Sequence, residues 1–535
     1  MKVTRRSLLA GAVALPLGGA ACSGPGDEEG AGGQGEQVAA PSYQPLGGLP
    51  DPDIPGTDDG VIPHTYLRYP AEPLVTVPEP PGDGEPVVIN TQSFAPAPPP
   101  VDRNSAWQQI NAEVGSDLDV RVTPASEYTQ VFSVAMAGEQ LGDMFFVAEV
   151  ARIPEFLEAQ AVDLSEYLSG DAILQYPNLA AIPSAMWEAG RFNGKLYGLP
   201  SPRGSMSSGV MYRREDLLAK RGITEPIDSF ETFVDQCREM NDPASGRYAL
   251  TRAPLQYIRN MLNVPNFWRW DGGTMTSWWT VPEQEEALDA ARSMVEEGLV
   301  HPNAFINPQT KEWFANGTCS FNQDSLSAWA AYFGMGSLSE GYDPGVLEIP
   351  TFEGGGDGAL WLSFPSFGRS AINRSAEDRV ETLLGIANYL AAPFGSREFL
   401  STHYGAEGSD YNMEDGTPVP TPQGAENRQL GLNYIAEAAQ VNFVAGRPEA
   451  GKKLAEILAD IIPQGINNDA VYLQSETFDR NFDRDNRAFQ GLEADILSGR
   501  QPVSAWSTQV DSWRRDGGDQ MAVELAEAYV AAGRG

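Results

Sequence analysis

The stretch from Trp187 to Leu218, WEAGRFNGKLYGLPSPRGSMSSGVMYRREDLL, constrains this chain more than any other. Two strand-like runs, Leu196–Leu199 and Val210–Tyr212, are separated by a polar segment from Pro200 to Ser208 that is rich in Pro, Gly and Ser. A loop that merely closed a hairpin would be shorter and would carry a tight-turn dipeptide. After the second run a helix begins at Arg214-Glu-Asp-Leu-Leu218. The pattern predicts an extended hinge through which the chain leaves one lobe and enters a second. It implies a cleft, with Arg203 in the hinge as a candidate ligand contact.

Upstream, Pro86-Val-Val-Ile-Asn90, Leu118-Asp-Val-Arg-Val122 and Asp143-Met-Phe-Phe-Val-Ala148 read as strands, with helices over 104–114 and 128–137 between them. Strands and helices in alternation with short connections predict a doubly wound, parallel α/β sheet. Ligands of such sheets sit outside the carboxyl ends of the strands. That marks Gln92, Ser93 and Phe94 after the first strand and Glu149 after the third. Downstream, Asp228-Ser-Phe-Glu231 reads as a capping-box start to a helix, and Asp415-Gly416 as a hairpin turn.

The chain begins with a basic segment carrying Arg5 and Arg6, then an apolar, small-residue run ending in Gly19-Ala-Ala-Cys22. Paired arginines before such a run indicate a Tat-type signal over 1–22. The closing Cys matches a lipobox, with Gly19 where that pattern has Leu, so Cys22 is the expected lipidation site. Residues 23–83 are Gly-, Pro- and acid-rich with no Lys or Arg before Arg68. Such a composition predicts a disordered tether.

The formal net charge of −37 excludes nucleic acid and anionic lipid surfaces as partners on electrostatic grounds. Besides Cys22 there are two cysteines, Cys237 and Cys319, which could pair in an exported protein or stand as two buried thiols; their spacing does not decide. With only His64, His301 and His403, a histidine metal site or Ser-His-Asp triad has almost nothing to be built from. Asp479 to Asp485 is acidic but lacks the spaced loop and central Gly of a calcium site, so it reads as a solvated helix face. No metal and no cofactor is called for.

Several further pieces carry a resemblance. They are Gly142-Asp-Met-Phe-Phe146, Asp163-Leu-Ser-Glu-Tyr-Leu168, Asn193-Gly-Lys-Leu-Tyr-Gly-Leu-Pro200, Met211-Tyr-Arg-Arg-Glu-Asp-Leu-Leu218, Glu297-Gly-Leu-Val-His-Pro302 and Phe314-Ala-Asn-Gly-Thr-Cys-Ser-Phe321. In this order the chain resembles the family 1 extracellular solute-binding proteins of ABC importers. The later segments 405–419 and 496–519 are similar to the larger lipoprotein subgroup that includes oligosaccharide binders. The resemblance implies a class II, periplasmic-binding-protein-like α/β fold, each lobe a mixed or parallel sheet flanked by helices. By it the N-terminal lobe holds 84–205 and 319–363, and the C-terminal lobe 206–318 and 364–532, with return crossings near Cys319–Phe321 and Leu362–Phe367. It adds Trp270, Asp271, Asp324, Trp329, Trp361 and Phe364 to the candidate ligand contacts, for sugar pockets combine aromatic faces with planar polar groups.

The function implied is non-enzymatic: a monomeric receptor, lipid-anchored on the outer face of the cytoplasmic membrane, that passes a carbohydrate to ABC permease subunits. Two alternatives stand beside it. One is a secreted glycoside hydrolase using a carboxylate pair such as Glu149 and Asp324. The other is a receptor for a solute that is not a sugar.

Overall fold

The apolar run Val87-Val-Ile89 opens β1 (Val87–Ser93), which is buried as an interior strand of a five-stranded sheet. The computed structural model describes residues 38–535 except 58, 139, 151, 307 and 336–340. The signal segment with Cys22, and residues 23–37, lie outside the described residues. Helix α1 (Ser105–Val114) follows, capped by the Asn104 side chain accepting from the Trp107 amide and closed by Gly115 at φ +78°. Then come β2 (Leu118–Pro124), α2 (Ala125–Ala137), β3 (Met144–Phe146) and α3 (Ile153–Gln160). β2 and β3 both lie parallel to β1, as a doubly wound start predicts.

β4 (Leu199–Pro202) leads to the first crossing at 203–208. β5 (Gly209–Arg214) opens the second lobe. It is followed by α4 (Phe230–Met240), β6 (Tyr248–Leu250), α5 (Leu255–Met261), β7 (Cys319–Ser325), β8 (Pro344–Val346) and β9 (Leu360–Trp361). The capping box of α4 is closed between Ser229 and Thr232. The chain then returns through 362–365 into β10 (Ser366–Ile372), α6 (Val380–Leu390) and α7 (Arg397–His403) of the first lobe. It crosses a last time at 437–443 into α8 (Pro448–Ile461), β11 (Gly465–Ile466) and α9 (Glu476–Leu497).

The first-lobe sheet has the order β2-β1-β3-β10-β4 and the second-lobe sheet β8-β5-β7-β6. Each lobe has its own core. One joins residues between Val87 and Leu199 to Ala371–Ala391 and Leu430–Ala436, and the other runs from Met206 to Leu360 and from Val444 to Leu525. This divides the chain differently from the resemblance. Residues 319–363 belong to the second lobe, because β7 pairs antiparallel with β5 and parallel with β6. Residues 366–436 belong to the first, because β10 pairs with β3 and β4. There is thus no crossing at Cys319–Phe321, whereas 362–365 is one. Cys237 and Cys319 are both free and buried in the second lobe. Burial pushes both thiols up, Cys319 to about 12.

Residues 38–83 are not a loose tether. Val38 donates to the Gly194 carbonyl at 2.9 Å, and Leu74 exchanges backbone bonds with Gly395 and Arg397. Tyr66 and Tyr69 are buried against Phe394, at ring distances of 4.5 and 4.8 Å. The buried Glu398 carboxylate accepts from the Thr76 and Val77 amides. Backbone bonds and two buried rings offset the ordering entropy that composition alone counted against the segment.

The arm also binds the hinge. The Ser205 hydroxyl on the first crossing donates to the Val61 carbonyl. On the third crossing, the Asn442 amide donates to His64 O at 2.8 Å and the Tyr66 amide to Asn442 O at 3.0 Å. The crossings are tied to each other as well: Arg203 and Gly204 amides donate to Pro365 O, and the Ser363 amide to Ser208 Oγ at 2.9 Å.

Candidate functional site

The end of β7, the start of β5 and the end of β9 meet beside the hinge on the second lobe, where they line an open cavity of about 350 Å³. Its polar lining is Arg252, Gln256, Asn266, Gln323, Asp324 and four serines, and its apolar walls are Phe267, Trp361 and Leu362. Gln323 donates to Gln256 Oε1 at 2.8 Å. Among the described residues, the buried Gln323 Oε1 has no hydrogen-bond partner. Asp324 accepts from the Tyr332 hydroxyl at 2.7 Å and lies 3.5 Å from the Lys311 ammonium. A planar amide pair, a carboxylate and a guanidinium around a small cavity can hydrogen-bond several hydroxyls at once.

Aromatic rings continue from this cavity across the cleft floor. Phe267 stands 5.7 Å from Trp278, 6.0 Å from Trp361 and 6.1 Å from Phe364, and Phe364 stands 6.3 Å from Tyr472. On the first-lobe side, Phe367 of β10 is 5.5 Å from Tyr434 and 6.1 Å from Phe94. Phe94, Phe367, Phe267 and Phe364 are 71%, 41%, 38% and 37% exposed. Large apolar side chains gathered at one place in water mark an interaction surface. Phe146 at the end of β3 supports the group. A Cβ at Gly368 would stand 2.7 Å from its ring, so only glycine fits beneath it.

The charged groups around the cleft are mostly engaged. Glu149 pairs with Arg369 of β10, which also donates to Ala189 O at 3.0 Å. Arg203 and Glu437 form a buried pair between the first and third crossings, with side chains only 9% and 10% exposed. Burial pushes the Glu437 carboxyl up, but Arg203 and then His403 overcome this and hold it below the usual carboxylate range. Arg203 also lies over the Tyr434 ring at 5.6 Å. Asp479, in the first turn of α9, carries the opposite shift. Burial first, then the charges of Glu155 and Glu149 on the other lobe, push its carboxyl up to about 6 against the offsetting pull of Arg369.

A carboxyl raised in the fold is penalised when ionised. The penalty is full above about pH 6 and vanishes as pH falls past the ordinary 3.8. Asp479→Asn is therefore expected to raise the melting temperature at pH 7.5, with a gain that shrinks between pH 6 and 4. An equal gain at both ends of that range in thermal melts would refute the raised carboxyl.

The expected contacts fall into three groups. Phe94, Asp324, Trp361 and Phe364 lie in or beside the cavity and ring track. Gln92 and Ser93 are buried at the end of β1, with Ser93 Oγ taken by the Ala95 amide, and Glu149 and Arg203 are held in ion pairs. Trp270, Asp271 and Trp329 stand elsewhere. Trp270 stacks on Tyr529 at 4.7 Å, and Asp271 pairs with Arg269 on an exposed turn. Trp329 is core, donating to Ala450 O at 3.0 Å. Sequence reasoning missed Gln256, Phe267, Gln323, Phe367, Tyr434 and Tyr472. Asp479–Asp485 forms part of α9, and among the described residues no cluster of His, Cys, Asp and Glu has the arrangement to hold a metal.

No described helix is long and apolar enough to cross a membrane. The chain is similar to Lipoprotein LipO of Bacillus subtilis (strain 168), 20% identical over 461 residues covering 80% of this chain and 89% of that one. It is similarly related to the polygalacturonan/rhamnogalacturonan-binding protein YtcQ of the same organism, 20% identical over 81% of this chain and 89% of that one. Its fold is similar to that of the substrate-binding protein FusA of S. pneumoniae in complex with kestose (TM-score 0.64, 13% identity, 84% and 99% of the two chains). It is also similar to that of the alginate-binding protein AlgQ2 (TM-score 0.62, 15% identity, 85% and 100%). The family model described as bacterial extracellular solute-binding protein matches residues 90–373, more than half of the length. Two lobes, a hinge of crossings, a cleft-side cavity and this match together place the chain in the bacterial extracellular solute-binding protein family.

Proposed function

We propose that this protein is an exported lipoprotein, anchored through Cys22 after a Tat-type signal, that captures an oligosaccharide in the interlobe cleft for an ABC importer. The observation that carries the reading is the pairing of the amide-lined cavity with four exposed phenylalanine rings. Ring faces suit the C–H faces of sugars, and planar polar groups suit their hydroxyls. The names of the similar proteins, which include binders of polygalacturonan and alginate and a complex with kestose, support a carbohydrate.

Function then needs only a shift between open and closed lobes. A ligand touching both sides of the cleft stabilises the closed arrangement by its differential contacts. The carboxylates a hydrolase would need, Glu149 and Asp324, are occupied by Arg369 and by Tyr332 with Lys311, which favours a receptor over an enzyme.

The test is a thermal-shift screen of the chain from residue 38 onward against mono- and oligosaccharides, amino acids and peptides. A ligand at 100 times its Kd adds about 2.7 kcal/mol. The expected result is a clear upward shift with one class of oligosaccharide, recovered intact afterwards. Cleaved sugar would favour the hydrolase. A shift with only amino acids or peptides would remove the carbohydrate.

A further inference from the structure

The cavity and the ring track differ in chemistry, and the difference gives the cleft a direction. The cavity offers hydrogen bonds: the Gln256–Gln323 amide pair with the unpartnered Gln323 Oε1, Asp324, and Arg252, which donates to Thr310 Oγ1 at 3.4 Å. The track offers faces. From Phe267 at the cavity wall it passes to Phe364 and Tyr472. Phe367 lies three residues after Phe364, within about 10 Å along the chain, and leads to Phe94 on the first lobe.

Two of the rings stand on unusual backbone. Phe267 and Tyr472, the neighbours of Phe364, have φ of +60° and +59°. Bulky residues adopt this left-handed conformation only where the surroundings impose it, and such strain gathers at ligand-contacting positions. Charge along the track is already spent, with Arg369 on Glu149 and Arg203 on Glu437. Asp479 adds a further acid at this lobe boundary.

We infer that the cleft reads a neutral oligosaccharide from one end. A terminal unit sits among the hydroxyl-binding groups of the second-lobe cavity, and the following units lie along Phe267, Phe364, Phe367 and Phe94. This rests on the carbohydrate reading and goes beyond it in fixing direction, charge and minimum length. Phe267 belongs to the second lobe and Phe94 to the first, so a unit seated in the cavity against Phe267 leaves Phe94 to the units that follow. A polyuronate would need a free cation for each unit, and the track presents phenyl rings.

The test is calorimetric titration with fructo-, xylo-, manno- and gluco-oligosaccharides of one to five units, and with oligogalacturonates of the same lengths. Affinity should rise at least tenfold from one to three units in a neutral series. Phe94→Ala, an exposed position whose truncation spares the fold, should weaken the trimer fivefold or more and leave the monomer within twofold. Gln323→Ala should weaken both alike.

Equal affinity at one and three units would overturn the inference and leave the carbohydrate receptor standing. So would a monomer loss equal to the trimer loss in Phe94→Ala, or tighter binding of the oligogalacturonates. Binding of no saccharide at all would overturn both.

Discussion

Glu437→Ala is expected to lower stability by about 3–5 kcal/mol, the cost of leaving one member of a buried ion pair without its partner. Arg203 would then sit buried between two crossings with no carboxylate, since Glu437 is its ion-pair partner there. Replacing both, as Arg203→Met with Glu437→Leu, is expected to recover most of the loss, because two apolar side chains need no compensation. Acid should act like the single substitution. The Glu437 carboxyl is held below its ordinary 4.5, so its contribution is full above that value and is lost as pH falls through the lower folded value. Urea melts of the three chains at pH 7 read these differences. A single-variant loss below about 1 kcal/mol would mean that the hinge does not depend on the pair.

Removing residues 38–83 is expected to be at least as damaging. Tyr66 and Tyr69 fill one small core with Phe394, Leu400, Tyr404 and Tyr411, and deleting a buried aromatic costs about 3–5 kcal/mol each. The buried Glu398 would also lose its Thr76 and Val77 partners. At about 2–4 °C per kcal/mol in a domain of a couple of hundred residues, a chain starting at residue 84 should melt more than about 10 °C below one starting at 38, or fail to fold. Since the arm joins the first and third crossings through Val61, His64 and Tyr66, the loss falls on the hinge. Coincident melting of the two chains would show that the arm is dispensable.

What could be read in the sequence was local. The apolar run 86–90 and the alternation in 118–122 mark β1 and β2, and Asp415-Gly416 turns a hairpin with φ of +48° and +76°, as its dipeptide requires. The polar linker 200–208 does mark a crossing, but not as the extended hinge expected: Pro200–Pro202 continue β4 and Gly204–Ser207 wind into a 3-10 turn. Non-local facts were out of reach. A run such as Cys319–Ser325 fits either sheet, and its pairing with Gly209–Arg214 and Tyr248–Leu250, both distant in sequence, decides. The arm read as disorder because a mean over 23–83 dilutes the two tyrosines that hold it.

The site was half visible for the same reason. Phe94 follows a strand that the pattern marks, whereas Asp324, Trp361 and Phe364 came from the family resemblance, Asp324 through a crossing at 319–321 that the fold does not make. Gln256 and Gln323 lie 67 positions apart and say nothing singly. Phe267 sits in an aromatic segment that supplies core as well as cleft, and its left-handed backbone has no signature in its residue type. Trp270 and Trp329 show the converse, for their neighbours turn them to Tyr529 and Ala450.

On the proposed function, the lobes close on a saccharide. Small-angle X-ray scattering of the chain from residue 38 onward, alone and saturated with the oligosaccharide that shifts its melting, tests that most directly. A smaller radius of gyration with bound sugar, and loss of the change in Phe94→Ala with Gln323→Ala, is the predicted result. An unchanged radius with ligand demonstrably bound would contradict closure and leave a rigid binding cleft in its place.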